Sequence, residues 1–425
     1  MLLRWHRETK KPALLILLMQ AVFLLIVHSY ASAQAVLPAS NQAIPNTYFG
    51  MTLQNINDYP WVYVGSMGKA NGVQWPYLEP EKGVFNWARL DSWVAKTQAE
   101  GISLFYSNDY VPKWAAANPA SCFVSSMDTT VCTSSVANIQ DWDDFVNALV
   151  TRYSGKIQIY ELWNEPDQPE YFTGTMAQMV TLTNHMYNIV RSLNPKATIV
   201  SPSANSDLWL EAYWQAGGVK TTDVVSIHGY PADTNPVPEV VCAFRTLPLK
   251  ALMTQYGVKA PIWDTEGSWG GYNTLSSADL QAAFVSRYLT LHWACGVQRL
   301  YWYQWDGANL APYWGMLWGG RGATTAAGYA YWITQQWLGG ATMPNSCLVN
   351  GAKMPAPPAL YKGVYSCALT RTGGYQGEIV WNTVGSSIYT APDKFTKYED
   401  LTGASHTLPA NHEVAIGLKP ILLEN

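Results

Sequence analysis

Two short runs in this 425-residue chain place carboxylates where they could act as an acid and as a nucleophile. The first is Tyr160-Glu161-Leu162-Trp163-Asn164-Glu165-Pro166, and the second is Pro261-Ile262-Trp263-Asp264-Thr265-Glu266-Gly267. Read as strands with a side-chain period of two, the first puts Glu161, Trp163 and Glu165 on one face and the second puts Asp264 and Glu266 on one face. Glu165 and Glu266 are then uppermost. Asp264 is a rival nucleophile one layer deeper, and Glu161, two layers down, reads as a buried, hydrogen-bonded carboxylate. Two carboxyl groups facing each other across a cleft suit a reaction in which one protonates a leaving oxygen and the other meets the carbon it leaves. Cleavage of a glycosidic bond needs that pair.

The elements that must position them follow from periodicity. Between Thr47 and Trp305, short β-branched or aromatic runs alternate with longer amphipathic ones, the pattern of repeated βα units around a parallel sheet. Eight strands are predicted: Tyr48–Leu53, Gly72–Trp75, Ile102–Ser107, Ile157–Trp163, Thr198–Ser201, Val224–Tyr230, Pro261–Glu266 and Gln298–Trp305. Helices fit at Trp87–Ala99, Trp142–Tyr153, Met176–Leu193, Ala278–Trp293 and Ala326–Trp337. Eight such units predict an α/β fold, a (β/α)8 TIM barrel over residues 34–339, with strands four and seven on opposite sides of its mouth. After Gly339 the helical period stops and short strands alternate with Gly, Pro and Asn turns, which predicts a small β-sandwich-like domain over 340–425.

Arg4, Arg7, Lys10 and Lys11 precede an apolar run from Ala13 to Val27 and then Ala31-Ser32-Ala33, so residues 1–33 read as a cleaved signal peptide. Its removal takes away four cations and one anion, leaving an exported, mildly acidic chain, secreted or periplasmic, with no stable membrane insertion. Six cysteines in an oxidising compartment fall into near pairs, Cys122 with Cys132, Cys242 with Cys295 and Cys347 with Cys367, which predicts three disulfides. No C-x-x-C or H-E-x-x-H spacing occurs and the histidines are scattered singly, so no metal and no cofactor is expected. A net charge of −4 supplies no basic stripe for nucleic acid. With 20 Trp and 26 Tyr against 10 Phe, the aromatic surplus lies in rings that offer both a stacking face and a polar edge, which suits a carbohydrate partner.

Trp163-Asn164-Glu165-Pro166 resembles the acid/base motif of the retaining glycoside hydrolases of clan A, and Asp264-Thr265-Glu266-Gly267 resembles their nucleophile strand. Trp75 to Gly83, Ser226 to Pro231 and Tyr301 to Asp306 agree with it, and within the clan the chain looks most like family 39. The resemblance implies a hydrolase of oligo- or polysaccharides working by double displacement, with Glu165 as acid and then base and Glu266 as nucleophile. The neighbouring Glu266 is expected to raise the pKa of Glu165. Asn164 is expected to bind the sugar 2-hydroxyl, Tyr230 to hydrogen-bond Glu266, His228 to form a polar wall, and Trp305 to stack under the reacting sugar. Trp75, Trp114, Trp269 and Trp314 are further platform candidates. Clan A barrels commonly place an arginine near the second strand, yet no Arg lies between Arg7 and Arg89; Lys69 is the nearest stand-in and Gln74 a neutral alternative. Two other functions fit the same residues: a carbohydrate-binding protein on a silent barrel, and a transglycosylase.

Overall fold

The computed structural model describes residues 40–58, 64–219, 222–231, 237–270, 275, 277–307, 315–319, 324–353 and 362–425. The expected signal peptide lies outside them. Eight parallel strands form the barrel: Phe49–Met51, Ser66–Met67, Ser103–Ser107, Ile159–Glu161, Thr198–Val200, Val225–His228, Ile262–Gly267 and Val297–Trp302. The eighth pairs with the first, and a single bridge between Val200 and Val224 joins the fifth to the sixth.

One expected strand is corrected. Gly72–Trp75 is not the second strand; Trp75–Leu78 is a helical turn, and the strand lies earlier, at Ser66–Met67. Pro76 favours the first positions of a helix, where its missing N–H costs nothing. The correction leaves Lys69 two residues beyond the end of a strand, at the barrel mouth.

The barrel interior is layered. Phe105, Ile159, Val200, Val224, Trp263 and Tyr301 form an apolar floor. Two residues further along four of those strands stand Ser107, Glu161, Ser226 and Thr265, a polar layer joined by hydrogen bonds. The helices outside are amphipathic. Met176–Leu193 starts at a capping box made by Thr175 and Gln178, and it buries Met179, Leu182, Met186 and Val190 at spacings of three and four.

The C-terminal antiparallel sheet runs through Thr342–Met343, Val364–Thr370, Gln376–Asn382, Ile421–Glu424, Lys397–Glu399 and Ser405–Thr407. Its outer member is Ser40–Ala43, from the N-terminal end of the described chain, paired with Thr342–Met343. A separate pair, Ser387–Thr390 with Glu413–Ile416, covers one face over Val380, Phe395, Ile421 and Leu423. Three disulfides join Cys122 to Cys132, Cys242 to Cys295 and Cys347 to Cys367, with Cα separations of 4.0, 5.8 and 4.3 Å.

Candidate active site

Glu165 ends the stretch after the fourth strand with φ of 42°, in the left-handed region that a non-glycine residue seldom adopts. Its N–H is held by the carbonyl of Ser203 at 3.0 Å, which fixes the turn. Backbone strain of this sort gathers at functional sites, where the surroundings over-determine it. Across the mouth, Glu266 pairs in register with His228, because the register shifts between Ile227 and His228 and again between Asp264 and Gly267. The irregularity turns both Thr265 and Glu266 inward, a parity that a regular strand forbids. Asp264 is consequently not one layer below Glu266. It lies on the helix side, accepting from Tyr288 Oη at 2.6 Å and from the Gly229 N–H at 2.9 Å, with His292 Nε2 at 3.1 Å. Trp163 also leaves the expected face and packs on Trp142 and Phe172.

The two rim glutamates have different partners. The imidazole Nδ1 of His228 lies 2.6 Å from Glu165 Oε1. Tyr230 Oη donates to Glu266 Oε1 at 2.8 Å, and the Lys69 ammonium pairs with Glu266 Oε2 while also donating to Asn164 Oδ1. One carboxylate oxygen of Glu165, one of Glu266 and a ring nitrogen of His228 all fall within 4.8 Å of one another. Of the two stand-ins, Lys69 occupies the position beside Glu266, whereas Gln74 precedes the helix Trp75–Leu78.

These contacts decide the charges. Burial would raise the Glu165 pKa, but the charge and hydrogen bond of His228, aided by Lys69, outweigh it and bring the carboxyl down to about 2. The expected rise is therefore corrected: the imidazole of His228, in direct contact with Glu165, decides the sign. Burial opposes charge on His228, yet Glu266 and Glu165 together raise its pKa above the ordinary value. Burial likewise opposes the Lys69 charge, and Glu266, Glu161 and Glu165 reverse that. The ring hydroxyl of Tyr230 is pushed up, first by burial and then by Glu266, which keeps it a donor. Glu161 is fully buried, accepts from Ser107 at 2.7 Å and Thr265 at 2.9 Å, and has a raised pKa, burial being the main cause.

Asn164, Glu165, His228, Tyr230 and Glu266 thus come together, but three proposed platforms do not. Trp75 is completely buried, stacked on Phe145, with Nε1 donating to Glu79. Trp269 is 3% exposed and wedged against Phe284 and Trp302. Trp305 is 1% exposed with Trp318 stacked on one face. A stacking platform needs an open ring face, and none of these has one. Trp114 meets Trp75 edge-on and donates to the Glu79 carbonyl, and Trp314 lies outside the described residues. Sequence reading missed Tyr303, whose hydroxyl accepts from Gln54 at 3.3 Å and is pushed up by burial and by Glu266. It also missed Asp109, two residues beyond Ser107, although the period of two that puts Phe105 and Ser107 inside the barrel points to it.

Glu165, His228 and Glu266 together offer donor atoms of a kind that could hold a metal ion. A dication there would compete with the Lys69 ammonium for Glu266 and with the His228 hydrogen bond for Glu165, so the pairing present favours acid–base chemistry.

The model of Glycosyl hydrolases family 39 matches residues 77–253. The structure is similar to a family 39 glycoside hydrolase from the gut symbiont Bacteroides cellulosilyticus WH2, with 18% identity, 89% of this chain and 80% of that chain covered, and a TM-score of 0.68. It is similar to a family 39 β-xylosidase from Caulobacter crescentus (14% identity, 91% and 98% covered, TM-score 0.62) and to a family 30 endoxylanase from Clostridium papyrosolvens C71 (13%, 92% and 98%, 0.56). At these identities the structural likenesses establish the fold. No curated protein sequence matches significantly.

Proposed function

We propose that this chain is a glycosidase like those of family 39, and that it is an exported retaining hydrolase of O-glycosidic bonds in an oligo- or polysaccharide. The observation that carries the reading is the proximity of the two rim carboxylates, whose nearest oxygens lie within 4.8 Å. Retaining enzymes hold their carboxyl groups about 5 to 5.5 Å apart, whereas inverting ones leave roughly 6.5 to 9.5 Å for a water between them. Three disulfides are compatible with an extracellular destination. Among the described residues, no helix is long and apolar enough to cross a membrane.

In the first step a Glu266 oxygen bonds to the anomeric carbon as the bond to the leaving oxygen breaks, and that oxygen takes a proton from Glu165. Glu266 is steered by Lys69 and Tyr230, which hold both of its oxygens. The proton is shared in advance: below the raised pKa of His228, the His228–Glu165 pair carries one, held on a 2.6 Å hydrogen bond and available for the leaving group. When the glycosyl-enzyme forms, the Glu266 charge is consumed. Glu165 then takes a proton from water, which attacks the anomeric carbon and releases Glu266. Because Asn164 Oδ1 is committed to Lys69, its amide nitrogen is left to meet a sugar hydroxyl.

A screen of aryl glycosides and bacterial exopolysaccharides tests this. Release of a sugar with its anomeric configuration kept, read by NMR, is the expected outcome. Inversion would remove the double-displacement mechanism, and oligosaccharide binding without turnover would favour a silent barrel.

A further inference from the structure

We propose that Asp109, flanked by Tyr110 and Tyr171, forms a subsite that binds the hydroxyl groups of an uncharged sugar unit beside the cleavage point. The inference rests on the glycosidase reading and extends it to the class of sugar that reaches the barrel mouth.

Asp109 follows the third strand. Its neighbour Asn108 is pinned on three sides: its side chain accepts from the Trp75 N–H at 2.8 Å and donates to the Tyr110 carbonyl at 3.0 Å, and its carbonyl accepts from the Asn164 N–H at 2.9 Å. The last bond sets Asp109 next to the Asn164–Glu165 turn. Asp109 is 8% exposed, and its buried Oδ1 has no hydrogen-bond partner. Glu161 and Asp264, the deep carboxylates of the fourth and seventh strands, are saturated with donors, and Glu239, whose Oε2 also lacks one, is paired with Arg287, so Asp109 is the acceptor near the barrel mouth that waits for a donor. A buried acceptor left unmade costs free energy that a ligand hydroxyl would remove. Burial, and then the charges of Glu266, Glu165 and Glu161 against that of Lys69, push its carboxyl up to about 7, which fits an unsolvated group close to the rim pair.

The surroundings suit a sugar ring. Tyr110 and Tyr171 stand with ring centroids 5.8 Å apart, and Phe123 meets Tyr110 edge-on at 5.9 Å. Burial and the charges of Glu165 and Glu266 raise the Tyr171 hydroxyl, so that ring borders the catalytic pair, whereas Phe123 is 45% exposed on the hairpin stapled by Cys122 and Cys132. An aromatic wall thus leads from the rim to the surface, and sugar C–H groups pack on such faces. Charge selects against a uronate. The cations described at the mouth, Lys69 and His228, already pair with Glu266 and Glu165. A sugar carboxylate would meet Asp109 while both of those cations are engaged elsewhere.

Binding is measured in a protein that cannot turn over, so its result stands apart from the hydrolysis assay. Glu266→Gln, with and without Asp109→Asn, is titrated calorimetrically at about pH 8.5, where the Asp109 carboxyl is ionised, with neutral xylo-, gluco-, manno- and galacto-oligosaccharides and with oligogalacturonate. The expected result is binding of at least one neutral oligosaccharide, weakened about 10- to 100-fold by Asp109→Asn, as for loss of a hydrogen bond to a charged group. Oligogalacturonate should bind more weakly and gain from Asp109→Asn. Unchanged neutral binding in the double variant, tighter binding of the uronate, or no binding by any sugar overturns the subsite. If near-UV circular dichroism shows that Asp109→Asn has lost its fold, Tyr171→Leu replaces it with the same expectation for the neutral sugar. Intact binding with no turnover by the unmodified protein would instead overturn the hydrolase reading alone.

Discussion

The same two strands, four and seven, carry two pairs of acids that differ in the company they keep. Glu161 and Asp264 take their hydrogen bonds from neutral hydroxyls and a backbone N–H, and the His292 imidazole lies 3.1 Å from Asp264. Glu165 and Glu266 instead face an imidazole and an ammonium. Neutral donors fix a carboxylate in place and stabilise the fold, and no proton needs to move among them. A cationic partner sets when the carboxylate gains or releases a proton, and it can be outweighed when substrate arrives. Type of partner therefore separates the two pairs more sharply than depth does, since Glu165 and Glu266 are themselves only 13% exposed.

If that contrast is right, substitutions in the upper pair should abolish chemistry and leave stability nearly intact. Glu266→Ala should lose on the order of 10⁴-fold or more in kcat on every substrate, as removal of a nucleophile does. Glu165→Ala should lose about 10²- to 10⁴-fold on natural glycosides. It should still release an activated aryl leaving group, and azide should restore its turnover; intact mass would show the trapped adduct. Rescue of neither variant by azide would break the assignment of roles. Lys69→Met should cost about 10²- to 10³-fold in kcat/KM, comparable to removing one preorganised donor. Lys69→Arg should recover part of it, and an unchanged kcat/KM in the methionine variant would show that Lys69 merely fills space.

The lower pair should behave in the opposite way. Asp264→Ala leaves the buried Gly229 N–H without its acceptor and the Tyr288 hydroxyl with only the Gly229 carbonyl, which should lower unfolding free energy by about 1 to 3 kcal/mol in denaturant titration. The chemical step of the protein that remains folded should be little changed. Large loss of kcat without loss of stability would erase the distinction.

The finest test is a pH profile. The His228–Glu165 pair must hold a proton to serve the leaving group, and it loses that proton as pH rises through the His228 pKa, which lies above the ordinary histidine value. Activity should therefore fall on an alkaline limb placed above that value. In His228→Asn the counter-charge that depresses Glu165 is gone, so burial should raise the Glu165 pKa and the limb should report Glu165 alone. A limb unmoved between the two proteins would separate the imidazole from the proton path.

Much of the fold was legible because long periodic segments announce themselves. Met176–Leu193 has the bounds read from its residues, and the disulfides join the cysteines that sequence order suggests. The second barrel strand was not legible, because two buried residues, Ser66 and Met67, show no alternation. The side on which Asp264 falls was hidden for another reason. A bulge changes parity without changing composition, so a strict period of two assigns the wrong face beyond it. Burial of the tryptophans was equally invisible, since an indole that packs a core and one that carries a sugar are the same residue type. Lys69 could be named from the missing arginine, while Asp109 would have needed the third strand followed past its end.

The pairing of Ser40–Ala43 with Thr342–Met343 also constrains when the molecule can be finished. The C-terminal sheet takes its outer strand from the part of the described chain that is synthesised first, and the partner comes only after all eight barrel strands. Contacts so distant in sequence close late and slowly. The leading segment must wait unpaired while the barrel assembles, and docking of that strand is then the event that couples both ends of the folded protein. A chain interrupted anywhere between them would keep an open edge ready to pair with another molecule. Pulse-labelled hydrogen exchange should accordingly find the amides of 40–43 among the last protected, after those of the barrel strands.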